Sequence, residues 1–168
     1  MSNKILERSN WPSFKNASFL DVLDKVAARS YKKKTTEGYL AALLIYQQLV
    51  EEIVRMLIRN SEFLIECRVY PFQINFKKHD EKMFGQLLQD LAACVNFPQK
   101  QKLYVNCTKL NRIRILGVHK ITQQKNLTEI RKTVKEVKNI YSEIFNLFVQ
   151  SRDYFRVIFG KLEKENIK

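Results

Sequence analysis

The residues best suited to chemistry in this chain are Arg114 and His119, which lie close together in an otherwise apolar stretch. The chain has 2 histidines in all, and no acidic residue lies between Asp90 and Glu129. An arginine holds a phosphate through two parallel hydrogen bonds and stays charged at any working pH. A histidine transfers protons near neutrality. This pair in a basic segment therefore indicates chemistry on a phosphate group.

Helical spacing alone does not bring these two side chains together. Each residue of an ideal helix turns about 100°, so Arg114 and His119 are about 140° apart around the axis. A second arginine, Arg112, shares a stripe with His119 but lies about 10.5 Å away along the axis. A shared site therefore needs an opening of the helix near Gly117 or a second subunit that supplies the other half. In the alternative interpretation these residues have no catalytic role. Both arginines are then solvent-exposed charges, and His119 stabilises the C-terminal end of a helix through the helix dipole.

The composition indicates one helical domain with an anionic partner. The chain has 168 residues, of which 45% are hydrophobic, which is enough for a proper core. Glycine (4) and proline (3) are scarce, and this favours long helices over a many-stranded sheet. The net charge of +13 indicates nucleic acid, a nucleotide, an acidic protein or an anionic membrane surface as the partner.

The cysteines and apolar runs narrow the class of protein further. Cys67, Cys94 and Cys107 are widely spaced and form no cluster with histidine, so neither a metal site nor a cofactor is predicted. The first 15 residues lack the apolar run of a signal peptide, and no run reaches membrane length. We therefore expect a cytoplasmic protein that does not enter a membrane.

The hydrophobic period predicts an all-α fold, an antiparallel helical bundle of four to five helices in a single domain. An N-terminal arm and a short helix occupy residues 1–35, and the bundle occupies residues 36–168. The predicted helices run from Ser18 to about Ser30, from Thr35 or Thr36 to about Cys67, from a cap at Asp80 to Val95, from Pro98 to beyond Leu116, and from Leu127 to about Leu162. Side chains predicted to face the core include Phe19, Leu44, Met83, Leu87, Val105, Leu110, Val134 and Phe148. His79 is assigned to the surface.

The stretch Leu110-Asn111-Arg112-Ile113-Arg114, with Val118 and His119, resembles the ribonuclease motif of the HEPN superfamily. These are helical, nucleic-acid-related domains of prokaryotic defence and toxin–antitoxin systems. In their motif an arginine is followed, after four to six residues, by a histidine at the end of a bundle helix. The segment from Tyr39 to Arg59 is similar to a family helix that carries tyrosine, glutamine and glutamate. The resemblance spans roughly residues 36–160.

This resemblance implies a metal-independent endoribonuclease with Arg114 and His119 as its catalytic residues. Arg112, with six residues between it and His119, also fits the spacing of the motif, and the frame of the motif favours Arg114. The ribose 2′-OH would attack the neighbouring phosphate while His119 moves the proton and Arg114 stabilises the developing charge. Asn111 and Arg112 would support the site. Family members usually dimerise so that two motifs line one cleft. The resemblance therefore implies a homodimer, or a heterodimer with another HEPN-like chain, with RNA as substrate and an antitoxin or effector-complex protein as a further partner.

Two positions depart from the family pattern and keep other functions open. Ile115 stands where the family often has a polar residue, which favours a non-catalytic HEPN-like RNA-binding or scaffold subunit of a larger complex. Ile121 replaces a tyrosine typical of toxins paired with a nucleotidyltransferase antitoxin, so that partnership is disfavoured. A helical nucleic-acid scaffold outside the superfamily is a third possibility. The lysines predicted to steer RNA, unless they form only a solvated face, are Lys100, Lys102, Lys109, Lys120 and Lys125.

Overall fold

The computed structural model describes residues 11–12, 18–120 and 127–166, with residues 18, 116–120 and 164–166 described by their backbone alone. Five helices make up this part of the chain: α1 (Ser18–Lys32), α2 (Thr36–Val69), α3 (Phe84–Ala93), α4 (Lys100–Lys120) and α5 (Leu127–Asn166). No strand occurs within it. The predicted all-α bundle in a single domain is confirmed. Among the described helices, none has the length and apolar character of a membrane span.

A tight turn joins α1 to α2 and sets them side by side. Lys34 has a φ of 56°, in the left-handed region, and reverses the chain. Thr35 then caps α2, because its hydroxyl oxygen accepts a hydrogen bond of 3.1 Å from the backbone N–H of Gly38. A Cβ on Gly38 would lie 2.5 Å from the carbonyl oxygen of Ser30, so only glycine allows this close approach.

Aromatic pairs between α2 and α5 form the centre of the core. Tyr46 packs on Tyr141 with ring centroids 4.8 Å apart, and Phe63 packs edge-on against Phe159 at 5.3 Å. The pairs advance together along both helices, so α2 and α5 run in the same direction. Trp11, predicted to lie in a loose arm, is 3% exposed and packs against Phe63 and Phe159. The division of the chain at residue 35 stays a prediction.

The core positions predicted from periodicity are confirmed along the helix interiors and wrong near several edges. Among the buried ones are Leu87, Leu110, Val134 and Phe148. Four others are exposed instead: Phe19 (69%), Leu44 (57%), Met83 (73%) and Val105 (54%). The 3.6-residue period gives the angle of a side chain around its helix, but burial also needs a neighbouring helix at that height. Phe19 and Met83 lie at helix starts, and Leu44 and Val105 lie at the margins of their apolar stripes.

Two helix starts differ from the sequence prediction. The helix expected to follow Asp80 begins at Phe84, since residues 80–83 form a turn and a short irregular segment. The helix expected to include Pro98 begins at Lys100, because Gln99 has a φ of 66°, which a right-handed helix does not accept.

Candidate functional site

The C-terminal half of α4 carries Arg114 on the side of the helix that faces α2. Its Nη1 lies 3.7 Å from Oε2 of Glu51, and the two side chains are 39% and 13% exposed. The helix continues without interruption to Lys120, so it does not open at Gly117. Arg114 and His119 are therefore about 140° apart around one continuous helix. The side chain of His119 lies outside the described part of the structure.

Glu51 is held in place by a second arginine on its own helix. Oε1 of Glu51 accepts a hydrogen bond of 2.6 Å from Nη2 of Arg55, and both side chains are 13% exposed. Arg55 also donates to the backbone carbonyls of His79 at 3.4 Å and Lys82 at 3.5 Å. The carboxylate is thus fixed by Arg55, whereas its 3.7 Å separation from Arg114 exceeds hydrogen-bond length. Arg114 is oriented by this charge without being tightly bound to it.

The residues predicted to support Arg114 take different positions. Arg112 is exposed, about 200° around α4 from Arg114, and does not join the cluster. Asn111 is half-buried beside α3, with its Nδ2 4.0 Å from where a Cβ on Gly85 would stand. Ile115, at the position where a polar residue was expected, is 52% exposed. The structure therefore joins Arg114 to Glu51 and Arg55, two residues that the sequence did not single out for this role.

Gln47 lies one helical turn before Glu51 and is 6% exposed. Its Nε2 is buried and has no hydrogen-bond partner among the described residues. Buried polar groups are nearly always paired, so this unpaired amide, one helical turn from Glu51, is an exception within the described part of the chain.

The predicted RNA-steering lysines have different surroundings. Lys100 donates to the carbonyls of Ala92 at 2.9 Å and Cys94 at 2.6 Å, which ties the end of α3 to the start of α4. Lys109 pairs with Glu136 of α5 at 3.2 Å, with both side chains about half exposed. Lys102 is exposed. The side chain of Lys120 and the whole of Lys125 lie outside the described residues.

His79 is the clearest residue that the sequence prediction misplaced. Its side chain is 10% exposed, with Nε2 2.6 Å from Oε1 of Glu62 and Nδ1 3.0 Å from Oδ2 of Asp90. Lys82 reaches the same Asp90 oxygen at 2.6 Å. The assignment of His79 to the surface is wrong, because carboxylates from two different helices enclose its ring. No local spacing signals this contact, since Glu62 and Asp90 are distant in sequence.

Metal ligation and thiol chemistry are not indicated by this part of the chain. The two carboxylates around His79 contact different ring nitrogens, and no group of three or more His, Cys, Asp or Glu residues within the described ranges could hold a metal ion. Burial raises the pKa of the Cys67 thiol to about 11 and raises the pKa of Cys94 and Cys107 above the ordinary value. Buried thiols of this kind are poor nucleophiles.

No protein-family model, curated protein sequence or solved structure matches this chain. The functional interpretation of the site therefore depends on its residues and on their arrangement.

Proposed function

We propose that this chain is a metal-independent endoribonuclease of HEPN type, acting in a defence or toxin–antitoxin system. The observation that carries the proposal is the placement of Arg114, whose side chain is 39% exposed and 3.7 Å from the carboxylate of Glu51. That carboxylate comes from α2, within the segment that resembles the family helix. A guanidinium that is oriented but not tightly bound keeps its paired N–H donors available for a phosphate.

In this mechanism the substrate supplies its own nucleophile. The ribose 2′-OH attacks the adjacent phosphorus, the 5′-oxygen of the next nucleotide leaves, and the products are a 2′,3′-cyclic phosphate and a 5′-hydroxyl. Arg114 stabilises the negative charge that develops on the non-bridging oxygens. His119 moves a proton, either from the attacking hydroxyl or to the leaving oxygen.

A dimer solves the angular separation of the two residues. Because α4 is continuous through Gly117, one chain cannot bring Arg114 and His119 to one side of its own helix. A two-fold axis beside the end of α4 would duplicate both residues across one cleft. The exposed apolar side chain of Ile115, in the same turn as Arg114, suits a surface that a partner covers.

Ile115 also favours a second candidate function, a non-catalytic RNA-binding or scaffold subunit of HEPN type. An isoleucine next to the arginine cannot donate a hydrogen bond to a phosphate, and this weakens a site that relies on polar contacts. The two candidates differ in whether RNA is cut or only bound.

Cleavage in the absence of metal separates these candidates. The purified protein is incubated with mixed RNA in EDTA, and the new 3′ ends are tested for cyclic phosphate. We expect cleavage that Arg114→Gln and His119→Ala abolish and that Arg112→Gln leaves intact. The Arg112 variant is the matched control, because it removes the same charge from an exposed position on another face of α4. Strict dependence on added divalent metal would rule out the mechanism, and binding without cleavage would favour the scaffold.

The shared cleft has its own test. If the arginine of one protomer works with the histidine of the other, mixing the inactive Arg114→Gln and His119→Ala proteins regenerates intact sites in heterodimers. Random exchange of protomers then restores about one quarter of the wild-type activity. Full activity from a monomer at high dilution would refute the dimeric site.

A further inference from the structure

Two adjoining grooves at one end of the bundle meet at Tyr154. The larger, about 900 Å³, lies between the start of α4 and α5, and its lining includes Asn96, Gln99, Gln101 and Lys102. The smaller, about 480 Å³, is lined by Leu64, Ile65, Arg68, Val95, Ile158 and Lys161 together with Tyr154. Tyr154 is 36% exposed and borders both grooves. We call this surface the Tyr154 face.

The Tyr154 face is positively charged. Among the described residues no acidic side chain lines either groove, although the chain has 17 acidic residues, whereas Arg68, Lys102 and Lys161 all do. The acidic residue next in sequence, Asp153, lies 3.8 Å from Nη1 of Arg156 and is balanced by it. The N-terminal end of α4 adds the positive end of a helix dipole. Lys100 adds little, because its amine is engaged by the carbonyls at the end of α3.

We propose that the Tyr154 face binds a single-stranded segment of RNA. An exposed aromatic ring among amines and amides suits this ligand, because any base can stack on the ring while the amines contact phosphates. The side chains of Asn96, Gln99 and Gln101 line the same groove and carry both donors and acceptors for base edges. The inference rests on the proposed function in that RNA is the substrate.

The distance from the Tyr154 face to Arg114 sets the minimum length of RNA that can contact both. Lys102 and Arg114 lie on the same helix, about 18 Å apart at about 1.5 Å per residue. A stacked strand carries one phosphate per about 3.4 Å, and the two residues are also about 120° apart around the helix, so a strand held at Tyr154 needs at least about five nucleotides to reach Arg114. RNA shorter than this can still bind at the Tyr154 face, but that contact cannot promote its cleavage at Arg114.

Fluorescence anisotropy with a labelled 12-nucleotide oligouridylate tests the stacking. We expect Tyr154→Ala to weaken binding about 5- to 150-fold, the range reported for loss of one stacked base, and Tyr154→Phe to retain it. Phe72→Ala is the matched control, because Phe72 is 79% exposed and lines neither groove. Equal affinities for Tyr154→Ala and the wild-type protein would overturn the proposal.

The salt dependence tests the charges. Replacing Arg68, Lys102 and Lys161 by Gln should reduce the slope of log affinity against log salt by about 2, at about 0.7 per phosphate contact on a single strand. The control replaces Lys32, Lys33 and Lys34, which are exposed at the turn after α1, and removes the same charge. Equal slopes for the two triple variants would overturn the proposal.

The outcomes keep the two proposals apart. If RNA binding depends on Tyr154 but no RNA is cleaved in EDTA, the ribonuclease proposal is refuted and the Tyr154 face is supported as an RNA-binding surface. If Tyr154→Ala cleaves long RNA as fast as the wild-type protein does, only the proposal for the Tyr154 face is refuted. Binding of a polyglutamate peptide in preference to RNA would overturn the inference by assigning the surface to an acidic protein.

Discussion

Glu51 contacts two arginines in very different ways, and this difference predicts which arginine is structural. Arg55 lies 2.6 Å away with both side chains 13% exposed, whereas Arg114 lies 3.7 Å away and is 39% exposed. We expect Arg55 to contribute to the stability of the fold. We expect Arg114 to contribute to function while contributing little to stability. Double-mutant cycles on the pairs Glu51–Arg55 and Glu51–Arg114 measure the two contributions separately.

The magnitudes follow from geometry and exposure. A hydrogen bond between charged groups contributes about 1.5–3 kcal/mol, and partial exposure brings the expected Glu51–Arg55 coupling to about 1–2 kcal/mol. A half-exposed ion pair beyond hydrogen-bond length contributes less than about 0.5 kcal/mol, which is the expectation for Glu51–Arg114. In a chain of this size, 1 kcal/mol corresponds to a change in Tm of about 2–4 °C. Glu51→Gln should therefore lower Tm by a few degrees, and Arg114→Gln should lower it by less than about 2 °C.

Urea unfolding of the wild-type protein, the three single variants and the two double variants gives the coupling energies, and RNA cleavage in EDTA gives the activity. Arg114→Gln should reduce cleavage at least about 100-fold, as is typical when one donor to a developing oxyanion is lost. A Glu51–Arg114 coupling as large as the Glu51–Arg55 coupling would refute this reasoning, because Arg114 would then be a structural link between α2 and α4. An unchanged rate in a stable Arg114→Gln protein would refute its catalytic role.

Three further predictions concern the rest of the bundle. His79→Ala should lower the free energy of unfolding, measured in urea, by about 1–3 kcal/mol, because it leaves the carboxylates of Glu62 and Asp90 without their shared partner. The control is Lys78→Ala at the exposed neighbouring residue. An equal loss of stability in the two variants would contradict the prediction. Burial raises the pKa of Tyr46 from 10.0 to about 12 and that of Cys67 from 9.0 to about 11, so the unfolded chain releases these protons first. The free energy of unfolding should thus have its full value below about pH 9 and fall from there towards pH 12, and it should fall less steeply in Tyr46→Phe. A free energy of unfolding that does not change over this range in chemical denaturation would contradict the raised pKa values. Trp11, the single tryptophan, is 3% exposed, so its emission should stay blue-shifted and shielded from iodide until the core unfolds, whereas ready quenching in the native state would contradict its burial.

The sequence was sufficient to predict the helices and much of the core, because both depend on short-range periodicity. Leu110 and Phe148 follow the 3.6-residue pattern of long helices and are buried as predicted. The pattern was insufficient for Met83 and Phe19, since the end of a helix is buried only if another helix extends beside it. The loss of the predicted cap at Asp80 has the same origin. Its helix start depends on contacts of the preceding segment with α2, which no local spacing encodes.

The site was predictable only for its local part. Arg114 stood out because of its spacing from His119, whereas Glu51 and Arg55 lie on another helix and no short motif joins them to Arg114. His79 was misplaced for the same reason, because the carboxylates that enclose it are 17 and 11 residues away in the chain. Pairing of charges across helices is a property of the fold, and the sequence pattern carries little information about it.

The fold brings carboxylates from another helix to the segment between Asp90 and Glu129, which has no acidic residue of its own. Although α4 contains no carboxylate, its middle is approached from α5, where Glu136 pairs with Lys109 and Glu143 accepts a hydrogen bond from Asn106 at 3.1 Å. The positive charge of α4 is therefore partly neutralised along its middle, whereas Lys102 at its start is exposed and borders the groove beside Tyr154. Arg114 near the other end keeps its donors accessible because Glu51 is bound primarily by Arg55. If RNA follows α4 as we propose, the strand would have two places of firm contact, with a weaker stretch between them. This arrangement would let one part of the strand determine affinity while the other undergoes cleavage.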